Sequence, residues 1–339
     1  MDKKYIILLL ATCFVFAYCS KEETSMLSQT PYFFNLPPGV ENPRVPSDNT
    51  MTMEKIALGK MLFFDPMLSR DSTIACASCH IQSLAFVDNK TFSLGVYDSV
   101  GFRNALSLTN VAYNNLFFWD GGVPSLELQV IAPIESPFEM NNVLDSVIEK
   151  LKTHPYYSER FLEVFGRPVD KVSFTQSIAT FERTLISFNS PFDKYHYYNE
   201  TTLNEAQIRG KDLFFSSRTN CSNCHSLPNF TNNGFANNGL YEVYTDMGRR
   251  RVTVQFNDDA LFKIPTLRNV ARTAPYMHDG SLPNLEAVVV HYNSGGSNHF
   301  NKSSLVKPLN LTAQEQADLI AFLESLTDDE FINNSSFRP

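Results

Sequence analysis

Cysteine is scarce in this chain, and its placement is narrower than its number. Of 339 residues only six are cysteine. Cys13 and Cys19 fall at the extreme N-terminus. The other four, Cys76, Cys79, Cys221 and Cys224, occupy two copies of one pattern, CASCH at 76–80 and CSNCH at 221–225. No cysteine is left over, so a disulfide scaffold would have to break those patterns. A surplus of positive charge is also missing. Lys and Arg number 28 against 36 Asp and Glu, a net charge of −8 with no basic cluster to offset it. That argues against nucleic acid as a partner. Tryptophan occurs once, at Trp119. The apolar run at 5–18 is too short to cross a bilayer as a structural helix.

What is present begins with that run. Lys3 and Lys4 precede it, which is the form of a secretory signal peptide. It ends at Cys19, followed by SKEE, and so resembles a bacterial lipoprotein signal, although Tyr18 stands where a small residue is usual. The expectation is a signal over 1–19, export to the periplasm and a lipid tether at Cys19. Residues 20–49 are rich in Pro, Ser, Thr and Asn and read as a tether. The length suits two domains, and 43% apolar with 13% aromatic residues allows a sizeable core.

Two thiols three residues apart followed at once by His form the c-type haem attachment signature. Each cysteine makes a thioether to a haem vinyl group, and the turn places the His beneath the ring as an iron ligand. Chance places roughly 0.002 copies in a chain of this composition. A thioredoxin-like pair would not need His80 or His225, and nothing pairs the two copies into a zinc finger. The pattern predicts two covalent haem c groups, on Cys76, Cys79 and His80 and on Cys221, Cys224 and His225.

An internal repeat supports this. GKMLFF at 59–64 precedes the first signature and GKDLFF at 210–215 the second, each closing a segment of helical period. Thr202 with Glu205 reads as a capping box for the second. LTAQEQADLIAFLESL closes the chain as a helix, with Thr312 and Glu315 as its box and Ile320, Leu323 and Leu326 on one face. FTQSIATFERTLIS is amphipathic through Phe174, Ile178, Phe181 and Leu185. The linker is expected within 189–202. The fold class that follows is mainly α, with two cytochrome c-like domains at 50–195 and 200–330, each carrying one haem.

From about residue 50 to 327 the chain resembles the bacterial di-haem cytochrome c peroxidases and the related MauG-like enzymes. ALGKMLFFDPMLSRDSTIACASCH, RNALSLTN, FFWDGG, LELQVIAPIESPFEM and FERTLIS carry the resemblance in the first half. LFFSSRTNCSNCH, FKIPTLRNVARTAPYMHDGS and LEAVVVHYN carry it in the second. The resemblance implies a peroxide-reducing N-terminal haem and an electron-receiving C-terminal haem. It implies that His80 and His225 are proximal ligands and that Trp119 lies between the haems. Gln129, Pro133 and Glu139 would form the peroxide pocket. Asn104, with the carbonyls of Thr273 and Pro275, would hold calcium. Chemistry agrees for Glu139, because splitting an O–O bond needs a group that moves a proton between the two oxygens. Taken alone, Glu139 reads as a surface acid and Trp119 as a core residue.

Two positions depart from the pattern. The family's peroxidases often carry a second His on the N-terminal haem, and the matching position here is Val96. Tyr97 beside it is expected to face elsewhere in an extended loop. At the C-terminal haem, where many members place Met, the aligned residue is Tyr292, as in MauG-like enzymes; Met277 and His291 are the alternatives. His154 and His196 read as surface residues, and His278 as ordering the domain junction. The function expected is reduction of hydrogen peroxide with electrons from a small cytochrome c or copper protein. The alternatives are MauG-like oxidation of a partner protein and simple electron carriage. A homodimer is compatible with the resemblance.

Overall fold

The computed structural model describes residues 28–339, so the expected signal, Cys19 and the start of the tether lie outside the described residues. The chain builds helices α1 (Met53–Phe64), α2 (Cys76–Cys79), α3 (Leu126–Gln129), α4 (Ile131–Glu135), α5 (Leu144–Thr153), α6 (Pro155–Phe165) and α7 (Lys171–Glu182) in its first half. The second half follows with α8 (Pro191–Tyr198), α9 (Glu205–Phe214), α10 (Cys221–Cys224), α11 (Arg250–Thr253), α12 (Leu285–Ser294), α13 (Ala313–Glu324) and α14 (Asp329–Asn333). Strands β1 (Phe235–Ala236) and β2 (Phe262–Lys263) pair antiparallel, with Phe235 opposite Lys263.

The repeat becomes a pair of crossed helices in each half. α1 packs on α7, and α9 packs on α13. Gly59 and Gly210 sit at the two crossings. A Cβ on Gly59 would overlap the carbonyl of Ser177, and one on Gly210 the carbonyl of Asp318. Only glycine lets the backbones approach this closely. Four residues on, Phe63 meets Phe181 at 5.2 Å between ring centroids, and Phe214 meets Phe322 at 5.1 Å. Each pair anchors a separate hydrophobic core.

Phe174, Ile178, Phe181 and Leu185 are all buried, as their spacing predicts. Thr312 and Glu315 do form the capping box of α13. The cap of α9 falls two residues later than expected: Asn204 and Gln207 make the box, while the Thr202 hydroxyl donates to the carbonyl of Pro191. Ile320 is half-buried; the deeper face of α13 is Leu319, Phe322 and Leu323.

The expected linker is helical instead. Ser190 and Asp193 box the start of α8, Phe192 enters the second core, and Asp193 forms a bidentate ion pair with Arg268 at 2.9 and 3.0 Å. Both side chains are fully buried. Residues 28–49 lie against the first half rather than hanging free. Asn49 is buried and donates to Glu127 and to the carbonyl of Gln176, and Tyr113 donates to the carbonyl of Glu41. The C-terminus returns to the first half, where Phe331, Ile332 and Phe337 join its core. No helix of the described residues is long and apolar enough to cross a membrane.

Candidate functional site: two haem cavities sharing a wall

The two signatures fold alike. In each, one helical turn, α2 or α10, sets the two thiols three residues apart and so on one side. The following His N–H then bonds back to the first cysteine's carbonyl, at 3.0 Å for His80 and 2.8 Å for His225. Nδ1 of His80 lies 2.8 Å from the carbonyl of Phe86, and Nδ1 of His225 lies 2.9 Å from that of Phe230. A carbonyl only accepts, so Nδ1 must carry the proton and Nε2 keeps its lone pair. That is the tautomer an iron ligand needs. Burial lowers the pKa of both rings, which keeps them neutral.

Each signature opens on a cavity, of about 430 Å³ around Cys76, Cys79 and His80 and about 270 Å³ around Cys221, Cys224 and His225. The four thiols are enclosed by protein yet keep partial exposure, which faces these cavities, and burial raises all four. Paired thiols, a correctly tautomerised imidazole and a largely apolar cavity fit a covalently held haem in both halves. The cavities share a wall that includes Asn104, Asn114, Trp119 and Lys263. Trp119 is held there from two sides. Its indole N–H donates to the carbonyl of Asn104 at 2.8 Å, and its own carbonyl accepts from the N–H of Lys263 at 2.7 Å.

Gln129, Pro133 and Glu139 all line the first cavity. Gln129 ends α3 and Pro133 lies within α4. Glu139 is accessible from the cavity but crowded by protein on its other sides. This enclosure raises its carboxyl above the ordinary range, opposed by a hydrogen bond with Ser136. His80 is the sole histidine lining this cavity among the described residues.

Val96 is buried, and its N–H donates to the carbonyl of Glu139 at 2.8 Å. Its loop is a 3-10 turn rather than the extended loop expected: Tyr97 has φ 60 and is 69% exposed, so it turns away from the cavity. Thus one loop hydrogen bond ties the backbone at Val96 to the backbone of Glu139.

In the second cavity Tyr292 and Met277 both reach the lining, and His291 does not. The amide of Asn238 donates to Met277 Sδ at 3.1 Å and lies 3.5 Å from the Tyr292 hydroxyl. Burial pushes Tyr292 up to about 12 in the absence of a cation. His291 Nε2 is engaged by the carbonyl of Asn238. His154 and His196 are exposed, while His278 is buried, stacks on Phe262 and accepts from the N–H of Asn104 through its carbonyl.

Asn104, Thr273 and Pro275 line the second cavity together. The Asn104 amide lies against the carbonyls of Lys90 and Thr91. The amide nitrogen donates to both carbonyls, and no cluster of three or more His, Cys, Asp or Glu that could hold a metal occurs among the described residues.

Sequence reasoning passed over four lining residues. Met140 borders the first cavity but is 2% exposed and sits in the hydrophobic core. Arg251 reaches that cavity from the second half and lies over the ring of Phe102. Glu182, at the end of α7, is buried with Oε2 unpartnered and is pushed up to about 8, chiefly by burial. Lys263 borders both cavities. Met140, Glu182 and Lys263 stand in stretches that carry the family resemblance, but only the fold shows that they reach the two cavities.

Residues 53–201 match the family model for di-haem cytochrome c peroxidase, and residues 207–327 match that for cytochrome c. The chain is 39% identical over 300 residues to the methylamine utilization protein MauG of Methylorubrum extorquens, covering 86% of this chain and 83% of that protein. The chain belongs to the di-haem cytochrome c peroxidase family. It is 36% identical over 321 residues to cytochrome-c peroxidase IdrP1 of a Pseudomonas strain, covering 84% of each. A crystal structure of a MauG-like protein associated with microbial copper homeostasis superposes with a TM-score of 0.84 at 34% identity, covering 90% of this chain and 98% of that one. Membership makes the protein an oxidoreductase whose two cavities are haem c sites, and the mainly α, two-part cytochrome fold read from the sequence is the fold found.

Proposed function

We propose that this chain is an exported di-haem peroxidase that reduces hydrogen peroxide to two waters, taking two electrons from a small cytochrome c or copper protein and two protons from solvent. The observation that carries this is Glu139, a carboxyl of raised pKa in the His80 cavity, where no second histidine lies among the described residues. When bound, each haem would supply a redox-active iron, held by His80 in the cavity that Glu139 lines and by His225 in the other. Glu139 takes the proton from one peroxide oxygen and returns it to the departing one, which leaves as water. Gln129 and Pro133 shape the wall beside it. Trp119, fixed by Asn104 and Lys263, provides an aromatic ring between the two redox centres. Relatives named as cytochrome c peroxidases support peroxide as substrate and a cytochrome as donor. The positively charged residues and apolar run before Cys19 support export, and Cys19 supports a lipid tether. Calcium held by Asn104 with the carbonyls of Thr273 and Pro275 belongs to the same proposal.

A second reading is MauG-like oxidation of a partner protein. Tyr292 favours it, since a phenolate at the second iron stabilises the oxidised metal. Turnover of peroxide with a reduced small cytochrome separates the two readings. Glu139→Gln tests the first directly. The variant keeps both haem additions by mass spectrometry and loses turnover by on the order of 10²-fold. A rate close to wild type would remove Glu139 from the mechanism.

A further inference from the structure

Lys263 has no part in the chemistry above, yet no other buried cation among the described residues borders both haem spaces. It lies on β2 with its backbone N–H on Trp119. The residue is 4% exposed. Its Nζ has one polar neighbour, Asn233 Oδ1, at the long distance of 3.4 Å. No carboxylate lies within ion-pair distance among the described residues, in contrast to buried Arg268, which has Asp193. Burial lowers its pKa to about 8.

An ammonium taken out of water is costly unless an anion compensates it. The protein supplies none here, while each haem carries two propionate carboxylates. We propose that Lys263 is the counter-cation of a haem propionate at the wall the two cavities share, and that its charge holds up the reduction potential of that haem. This rests on the reading that both cavities hold haem. Reduction adds negative charge to the haem, so a nearby cation favours the reduced form. A unit charge roughly 10 Å away, in a medium of effective dielectric about 20, shifts such an equilibrium by about tenfold or more. Lys263 is thus a positioning and electrostatic residue, not one that touches peroxide. Its place beside Trp119 puts that control on the path between the two centres.

The test uses the full holoprotein with Lys263→Met, which keeps the side-chain length and removes the charge, and Lys263→Arg, which keeps the charge. Mass spectrometry first counts the haems. Redox titration followed by the haem spectra then gives both potentials. Lys263→Met lowers at least one potential by the equivalent of tenfold, about 59 mV for a one-electron couple, and Lys263→Arg stays near wild type. If Lys263→Met does not accumulate, Lys263→Gln carries the same comparison. Two haems present with both potentials unmoved in the uncharged variant would overturn the inference and leave Lys263 a packing residue. A wild-type chain carrying fewer than two haems would instead overturn the di-haem reading on which it rests.

Discussion

At the residue scale, two of the carboxyls that line the first cavity, Glu139 and Glu182, are treated differently by the fold. Glu139 keeps access to the cavity and a hydroxyl partner in Ser136, so its proton can leave and return. Glu182 is shut away beside Cys76 with one oxygen unpartnered, so its proton is held chiefly by burial, with Arg183 opposing and Glu127 adding to the effect. The consequence is a pH-dependent stability with a definite sign. Below about pH 4.5 both folded and unfolded chains carry the Glu182 proton. Between the ordinary value of 4.5 and the folded value of about 8, the unfolded chain ionises while the folded one resists. Stability is lost across that window, at about 1.4 kcal/mol for each pH unit crossed. Glu182→Gln therefore raises the melting temperature at pH 8, and the gain shrinks as the pH falls towards 5. An equal gain at both values in thermal denaturation would show that Glu182 does not resist ionisation. The burial of Glu182 was not legible in FERTLIS, because spacing shows that α7 is amphipathic but not which of its polar residues the fold will cover.

Elements are more legible than caps and turns. The repeated GK-x-LFF located both α1 and α9, and Gly59 and Gly210 explain why the repeat begins with glycine. Alanine at either position forces the crossed helices apart. Gly59→Ala and Gly210→Ala each destabilise by about 1–3 kcal/mol or more, the range for overpacking, measured by denaturant unfolding. A loss below about 0.5 kcal/mol, the scale of a neutral surface change, would mean that the crossing is not close. The misread elements failed for identifiable reasons. The cap of α9 moved to Asn204 because Thr202 found a competing acceptor in Pro191. The segment NSPFDKYHYYNETT has the composition of a linker, and it becomes α8 because Asp193 meets Arg268, 75 residues away. The loop at Val96 turns because Tyr97 takes a left-handed backbone and Val96 bonds to Glu139. The outcomes at α8 and Val96 depend on partners far along the chain, while the α9 cap depends on an acceptor that composition does not reveal.

Across the whole molecule, the two halves meet through a polar, well-bonded seam. Arg103 and Asp120 of the first half join Asp246 of the second, at 2.6 and 2.7 Å from the guanidinium. Asn110 donates to Asn229, and Asn269 donates to Ser187. The C-terminal tail clamps the arrangement, with Gln82 donating to the carbonyls of Phe331 and Asn334. The two haem signatures were legible because covalent chemistry demands them in one short stretch. The shared wall of Asn104, Trp119 and Lys263 was legible only in part, through Trp119 and Asn104. Lys263 enters it through the strand pairing that sets it opposite Phe235. The central proposal concerns this assembled state: with Val96 where a second ligand would stand and Tyr97 facing solvent, the first iron would be left open to peroxide. Electron paramagnetic resonance of the fully oxidised protein tests it most directly. One high-spin ferric haem, whose signal disappears when peroxide is added without prior reduction, is the result expected. Two low-spin haems, with peroxide reactivity appearing only after one-electron reduction, would contradict it and show that another side chain caps the first iron.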